Sequence, residues 1–242
     1  MFKKLFMLFK IGRKLSTSGA ILSIYEIYNP PIAIKILFFI IGFSFETKKN
    51  NNNLSPGAKL CDALQGMGTT FIKLGQFLAT RPDIIGENVA KELEKLQDKL
   101  PPFQLEEAKN ILRKELEKEN FDKITNFSDS IAAASIAQVH FATIDVLTEK
   151  KEVAIKILRP NIEKIFNDEL DALMLLAYIV EGLIKKTKRL KLVEVVQLLR
   201  EITNVEMDLR FEAAAANELY ENTKNDIGFK VPKIYWNQTS KK

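Results

Sequence analysis

The sequence predicts an α+β protein, a two-stranded hairpin set among amphipathic helices, and three observations predict it. Gln138–Ile144 and Glu152–Leu158 are apolar and β-branched, and polar Asp145–Lys151 lies between them, the pattern of a hairpin and its loop. On either side of the hairpin, apolar residues recur at helical spacing, as Val89, Leu93 and Leu96 do on one stripe. The chain has 242 residues, 46% of them apolar, which suffices for a substantial core in one or two domains.

Composition narrows the chemistry. Cys61 is the single cysteine, so an intrachain disulfide and a thiolate metal cluster are excluded, and a reducing compartment is expected. His140 is the single histidine and reads as a strand residue, which leaves a zinc site or a Ser-His-Asp triad without support. A net charge of +5 suits contact with anionic lipid or nucleic acid, and equally plain solubility. Nucleic-acid binding is set aside, because no basic stripe with interleaved aromatics is present.

In chain order, Met1–Lys14 mixes Phe and Leu with Lys and Arg at helical spacing. It lacks a small-residue cleavage site and is no secretory signal. It reads either as a basic helix lying on a membrane surface or as a helix packed on the rest of the fold. Pro31–Phe45 is the most apolar segment; it falls short of the ~20 residues a spanning helix needs and contains Lys35, so a buried or interfacial helix is expected. Thr47–Asn53 is polar and of low complexity, a linker. Ser55-Pro56-Gly57 opens the next unit, and Leu60–Thr80 is helix-like up to Arg81-Pro82. Helices are expected over Glu87–Lys99, which Pro101-Pro102 stops, and over Leu105–Glu119. Beyond the hairpin come Ile162–Lys186, then Leu192–Asn217 as one helix or two, and Val231–Trp236 as the start of a further strand.

The hairpin carries the chemistry. Its second strand contains Val153-Ala154-Ile155-Lys156, and a lysine fixed on such a strand can reach the phosphates of ATP and be held by a helix glutamate. Before the first strand runs Ala132-Ala133-Ala134-Ser135-Ile136-Ala137, where a protein kinase has a glycine-rich loop over phosphate. Without glycine the backbone can still approach a ligand, but Cβ atoms restrict positive φ, so such a cradle must be shaped differently. VAIK alone is no more than an amphipathic strand with a solvated lysine. AAASIAQVH followed at hairpin spacing by VAIKILRP is far more specific, and it resembles the UbiB family of atypical kinase-like proteins tied to ubiquinone (coenzyme Q) biosynthesis. TFIKLGQFLATRPDIIG resembles the family's KxGQ segment, a helical extension that folds over the nucleotide site. The resemblance assigns Lys73, Gly75 and Gln76 to that motif, and Glu206 and Asp208 to the family's glutamate–x–aspartate motif. It also makes Glu212 the glutamate that orients Lys156. Asp208 and Glu212 stand four apart, on one face if the helix is continuous. Carboxylates turned inward would need Lys73 or Mg²⁺ as partner.

The resemblance implies a protein-kinase-like N-lobe with a mostly helical N-terminal extension and a C-lobe absent from these residues. Neither H-x-D-x-x-x-x-N nor D-F-G occurs in the sequence. A truncated chain without phosphoryl-transfer activity of its own is therefore expected. Three regions follow: 1–53, basic and apolar helices with a linker; 54–125, the helical extension; 126–242, the N-lobe. Lys156, Glu212 and the loop Ala132–Ala137 would hold ATP, with Mg²⁺ implied by the family. Lys73, Gly75, Gln76, Glu206 and Asp208 would restrict or tune the site. The expected surroundings are the cytoplasmic face of a bacterial inner membrane, with prenylated quinone precursors or ubiquinone-biosynthesis proteins as partners. A competing expectation from another class is a non-catalytic lipid- or partner-binding helical module, the product of a decayed gene.

Overall fold

The structure, a computed structural model, describes residues 2–17, 54–97, 100–147, 149–183 and 185–242, together with positions 23, 32, 35 and 36. The expected linker Thr47–Asn53 and most of the apolar segment Pro31–Phe45 lie outside them. In chain order the elements are α1 (Phe2–Thr17), α2 (Pro56–Met67), α3 (Thr69–Ala79), α4 (Pro82–Ile85), α5 (Glu87–Leu93), α6 (Leu105–Glu115) and α7 (Lys118–Asp122). Strands β1 (Ile124–Thr125), β2 (Ser130–Ala133), β3 (Ala137–Val146) and β4 (Glu149–Leu158) follow, then α8 (Ile162–Leu183), α9 (Leu192–Glu206) and α10 (Leu209–Thr223). They divide into two compact units, Met1–Asp98 with Lys164–Arg200, and Lys99–Glu163 with Glu201–Lys242.

The first unit is helical. Ser55 caps α2 by accepting from the Ala58 N–H, and Pro56 starts the first turn, where its missing N–H costs nothing. The single helix expected over Leu60–Thr80 is broken at Gly68, whose φ of +100° only glycine adopts readily, so α2 and α3 are separate. Leu64 and Met67 of α2, Phe71 and Ile72 of α3 and Leu93 of α5 are buried. The stretch of α8 and α9 in this unit buries Phe166, Leu170, Val195 and Leu199, and an ion pair of 2.8 Å joins Arg200 to Asp171. In α1, Leu8 and Ile11 are buried and Lys14 donates to the Met67 carbonyl. The helix is thus packed, while Leu5, Phe6 and Phe9 on its other side are exposed.

The second unit is an antiparallel sheet with helices. β3 pairs along its whole length with β4, from Ala137↔Leu158 to Val146↔Glu149. On its other edge β3 takes β2 near its start and β1 near its end. The loop expected at Asp145–Lys151 is therefore much shorter, turning at Leu147 with φ +56°. Its polar residues extend the ladder because backbone bonds are indifferent to side-chain polarity, and opposite charges such as Asp145 and Lys150 face one another. Ile157 of β4 packs with Ala108, Leu112 and Leu116, flanked by Phe103, Phe121, Ile124, Phe127 and Ile155. The strand expected at Val231–Trp236 is not formed: Trp236–Gln238 is a 3₁₀ turn, and Pro232 has no N–H to give a ladder. The tail instead offers the Lys241 carbonyl to the Leu209 N–H at the start of α10.

Candidate functional site

The ladder sets which side chains share a face. Gln138, His140, Ala142 and Ile144 of β3 are buried, so Val139 and Phe141 stand on the opposite side. Val139 lies opposite Lys156 of β4 and Ala132 of β2, and Phe141 lies opposite Ala154. Ala132, Val139 and Lys156 therefore form one row across three strands, with Phe141 and Ala154 in the next. Phe141 is 57% exposed. The outer face thus carries an open apolar strip beside one lysine.

α10 supplies the lysine's partner. Lys156 Nζ lies 2.8 Å from Oε1 and 2.6 Å from Oε2 of Glu212, and both side chains are partly solvent-accessible. An ion pair this open contributes less than about 1 kcal/mol to stability. Its effect is to fix where the ammonium points. Glu212 falls in the first turn of α10, where the helix dipole favours a negative charge.

The alanine-rich stretch is more ordered than a loop. Ala132 and Ala133 belong to β2 and Ala137 opens β3, so the turn proper is Ala134-Ser135-Ile136. The Ala134 N–H donates to the Ala137 carbonyl at 2.8 Å. Arg159, just after β4, donates its N–H to the Ile136 carbonyl at 2.8 Å and its guanidinium to the Ala134 carbonyl, from Nε at 3.0 Å and Nη2 at 2.8 Å. Ser135 is fully buried.

Beneath this turn lies a polar network that sequence reasoning did not foresee. Gln138 bonds Phe103 at both ends of its amide, Oε1 accepting from the N–H at 2.8 Å and Nε2 donating to the carbonyl at 3.2 Å. His140 is fully buried; its Nδ1 is 2.9 Å from the Ser128 carbonyl and its Nε2 is 2.9 Å from Gln138 Nε2. A carbonyl only accepts, so Nδ1 carries the proton and Nε2 accepts from the Gln138 amide. Phe127 stacks on the ring at 4.5 Å. His140 is thus the structural strand residue expected. The signal for the network was present: a polar pair at alternate positions, Gln138 and His140, on a strand face that is otherwise apolar.

The acidic motif is arranged differently from the expectation. Glu206 ends α9, and the chain breaks there, so Asp208 is the N-cap of α10 and not a residue inside a continuous helix with Glu212. Asp208 accepts from the Arg210 N–H at 3.1 Å, and its carboxylate is gripped by the Arg210 guanidinium at 2.9 and 2.6 Å. That side-chain bond to Arg210 holds the Asp208 carboxyl below the usual carboxylate range. The cation beside Asp208 is therefore Arg210, supplied two residues along. Among the described residues no group of three or more His, Cys, Asp or Glu stands together, so a carboxylate cage for Mg²⁺ is not found among them.

The KxGQ residues lie on α3 in the first unit, Gly75 buried and Lys73 and Gln76 half-buried. A Cβ on Gly75 would stand 2.2 Å from Leu96 Cδ1 and 3.0 Å from Leu64 Cδ1, so the glycine serves close packing. A cavity of about 350 Å³ in the same unit is lined by Arg81, Asp83, Arg189, Lys191 and Glu194 among others, and by none of the motif residues. Arg81 pairs with Asp83 at 2.8 Å and Lys191 with Glu194 at 2.9 Å. Among the described residues no helix is long and apolar enough to cross a membrane.

Residues 95–242 match the ABC1 atypical kinase-like domain. The chain is 37% identical over 212 residues to a protein of Marinobacter nauticus named "Probable protein kinase UbiB", covering 87% of this chain and 38% of that protein. It is 38% identical over 184 residues to the protein of the same name in Pseudomonas paraeruginosa, covering 76% of this chain and 34% of that one. With that of Cellvibrio japonicus it shares 37% identity over 187 residues, 77% of this chain and 33% of the relative. The chain spans about a third of the length of the curated relatives it matches.

Proposed function

The chain belongs to the ABC1 atypical kinase-like family, and on that premise we propose that it is a UbiB-type protein that binds ATP and serves ubiquinone (coenzyme Q) biosynthesis. The observation that carries the nucleotide reading is the Lys156–Glu212 pair beside an open apolar strip and a turn of small residues. Val139 and Ala154 would carry the base, Lys156 would hold phosphate, and Glu212 would keep the ammonium aimed. Mg²⁺ would travel with the nucleotide, since it binds through phosphates and water where protein carboxylates are few. When bound, ATP supplies the transferable phosphoryl group; this chain's own residues bind and orient it.

The test is a nucleotide-binding titration on the purified chain. Mg-ATP is expected to bind, and Lys156→Ala to weaken binding by about tenfold or more, the loss of a charge-assisted contact worth roughly 1.5–3 kcal/mol. Folding should be almost unaffected, because an exposed pair contributes little. Equal affinity in wild type and variant would overturn the reading.

The surroundings belong to the same proposal. The exposed Leu5, Phe6 and Phe9 of α1, with Lys10 and Arg13 exposed beside them, support a peripheral contact with an anionic membrane surface, on the cytoplasmic side of an inner membrane. Prenylated quinone precursors or proteins of the ubiquinone pathway would be met there.

A further inference from the structure

We propose that Arg159 is a positioning residue: it latches the glycine-free turn Ala134–Ile136 so that its carbonyls face away from bound phosphate. The inference rests on the ATP-binding reading and goes beyond it. A phosphate cradle needs backbone N–H groups toward the ligand and carbonyl oxygens away from it, because a carbonyl aimed at phosphate repels it. Glycine-rich loops reach that arrangement through conformational freedom, which alanine and isoleucine lack. Here two of the turn's three carbonyls are held by Arg159. The Ala134 oxygen accepts from both Nε and Nη2 of Arg159, and the Ile136 oxygen accepts from the Arg159 backbone N–H.

The latch is itself anchored. Arg159 Nη2 also donates to the Leu100 carbonyl at 3.3 Å, and the guanidinium lies 5.9 Å from the centroid of the Phe103 ring. Phe103 is tied to β3 by both ends of the Gln138 amide. Between Leu100 and Phe103 stand Pro101 and Pro102, which fix φ and have no N–H to satisfy. The guanidinium is thus oriented from a stiff segment on one side and the end of β4 on the other. A lysine at 159 could reach one carbonyl as a point donor but could not form the fork.

The experiment measures binding of ATP and of adenosine to the full chain for wild type, Arg159→Gln and Arg159→Lys, with thermal melts on all three. ATP affinity is expected to fall by about tenfold in Arg159→Gln, with adenosine affinity changed by less than about twofold, and Arg159→Lys to lie between. Hydrogen exchange of the Ala134 amide should rise in step. A merely structural role would weaken ATP and adenosine together, and that outcome, or unchanged or tighter ATP binding, overturns the proposal. If Arg159→Gln does not fold, Arg159→Lys decides by the same ATP-to-adenosine ratio. Should the wild-type chain bind no ATP, the functional reading fails and this inference with it; ATP binding with an unmoved ratio sinks the inference alone.

Discussion

Asp208 shows how much one side chain decides. It caps α10 and accepts from Nε and Nη2 of Arg210, and α10 carries Glu212 to Lys156. Asp208→Ala removes an N-cap and should cost about 1 kcal/mol, within the usual range of roughly 0.5–2, read as a lower midpoint in urea. The pH dependence has a definite sign. The folded carboxyl titrates below its unfolded value of about 3.9, so its contribution is whole above that pH and is lost as pH falls through the lower folded value. Asp208→Asn keeps a cap but loses the charged pair. Its deficit relative to wild type should be largest above about pH 4 and shrink under acid; a deficit that grows on acidification would contradict the assignment.

At the scale of the element, α3 sets the clearest case. Gly75 in a helix interior gives up as much as about 1 kcal/mol of propensity relative to alanine. The neighbouring Leu96 and Leu64 leave no room for a Cβ. Gly75→Ala therefore trades a propensity gain against overpacking of about 1–3 kcal/mol, and Leu96, a side-chain end, can yield in part. Gly75→Val adds branches that cannot be accommodated that way, so it should destabilise by roughly 2 kcal/mol or more, and by more than Gly75→Ala. Thermal melts of the two variants rank them directly. Were Gly75→Val as stable as wild type, α3 would not pack as described. The β3–β4 hairpin offers the complementary lesson. Its strands were legible from their apolar, β-branched runs, but its length was not, because Asp145 and Lys150 pair across the ladder despite their polarity.

For the whole molecule, the first unit is discontinuous: residues 164–200 complete a unit that begins with α1. In it α1 is committed on one side through Leu8, Ile11 and Lys14, leaving Leu5, Phe6 and Phe9 on the other. If that side meets a membrane, the chain should co-float with vesicles containing anionic lipid and release with rising salt, since its basic residues contribute a screened attraction. Phe6→Glu with Phe9→Glu should abolish flotation while leaving the melting temperature near that of wild type, because neither side chain is buried. Equal flotation by the double variant would refute a membrane role for this face.

The sequence by itself determined what local chemistry controls. The helical stripes, the proline breaks, the exposed side of β4 that carries Lys156 and the close-packing glycine at 75 all follow from periodicity and steric rules acting over a few residues. The AAASIAQVH and VAIK strings carried the family. What only the tertiary structure decided involves residues far apart in sequence. Arg159 reaches Ala134 and Leu100, and Gln138 takes both polar groups of Phe103. Arg210, two residues from Asp208, grips its carboxylate in a fork that forms with little loss of chain entropy at so short a spacing. Such contacts depend on where strands and helices end up in space. Periodicity records which face of an element is buried, and is silent on which side chain from another element arrives there.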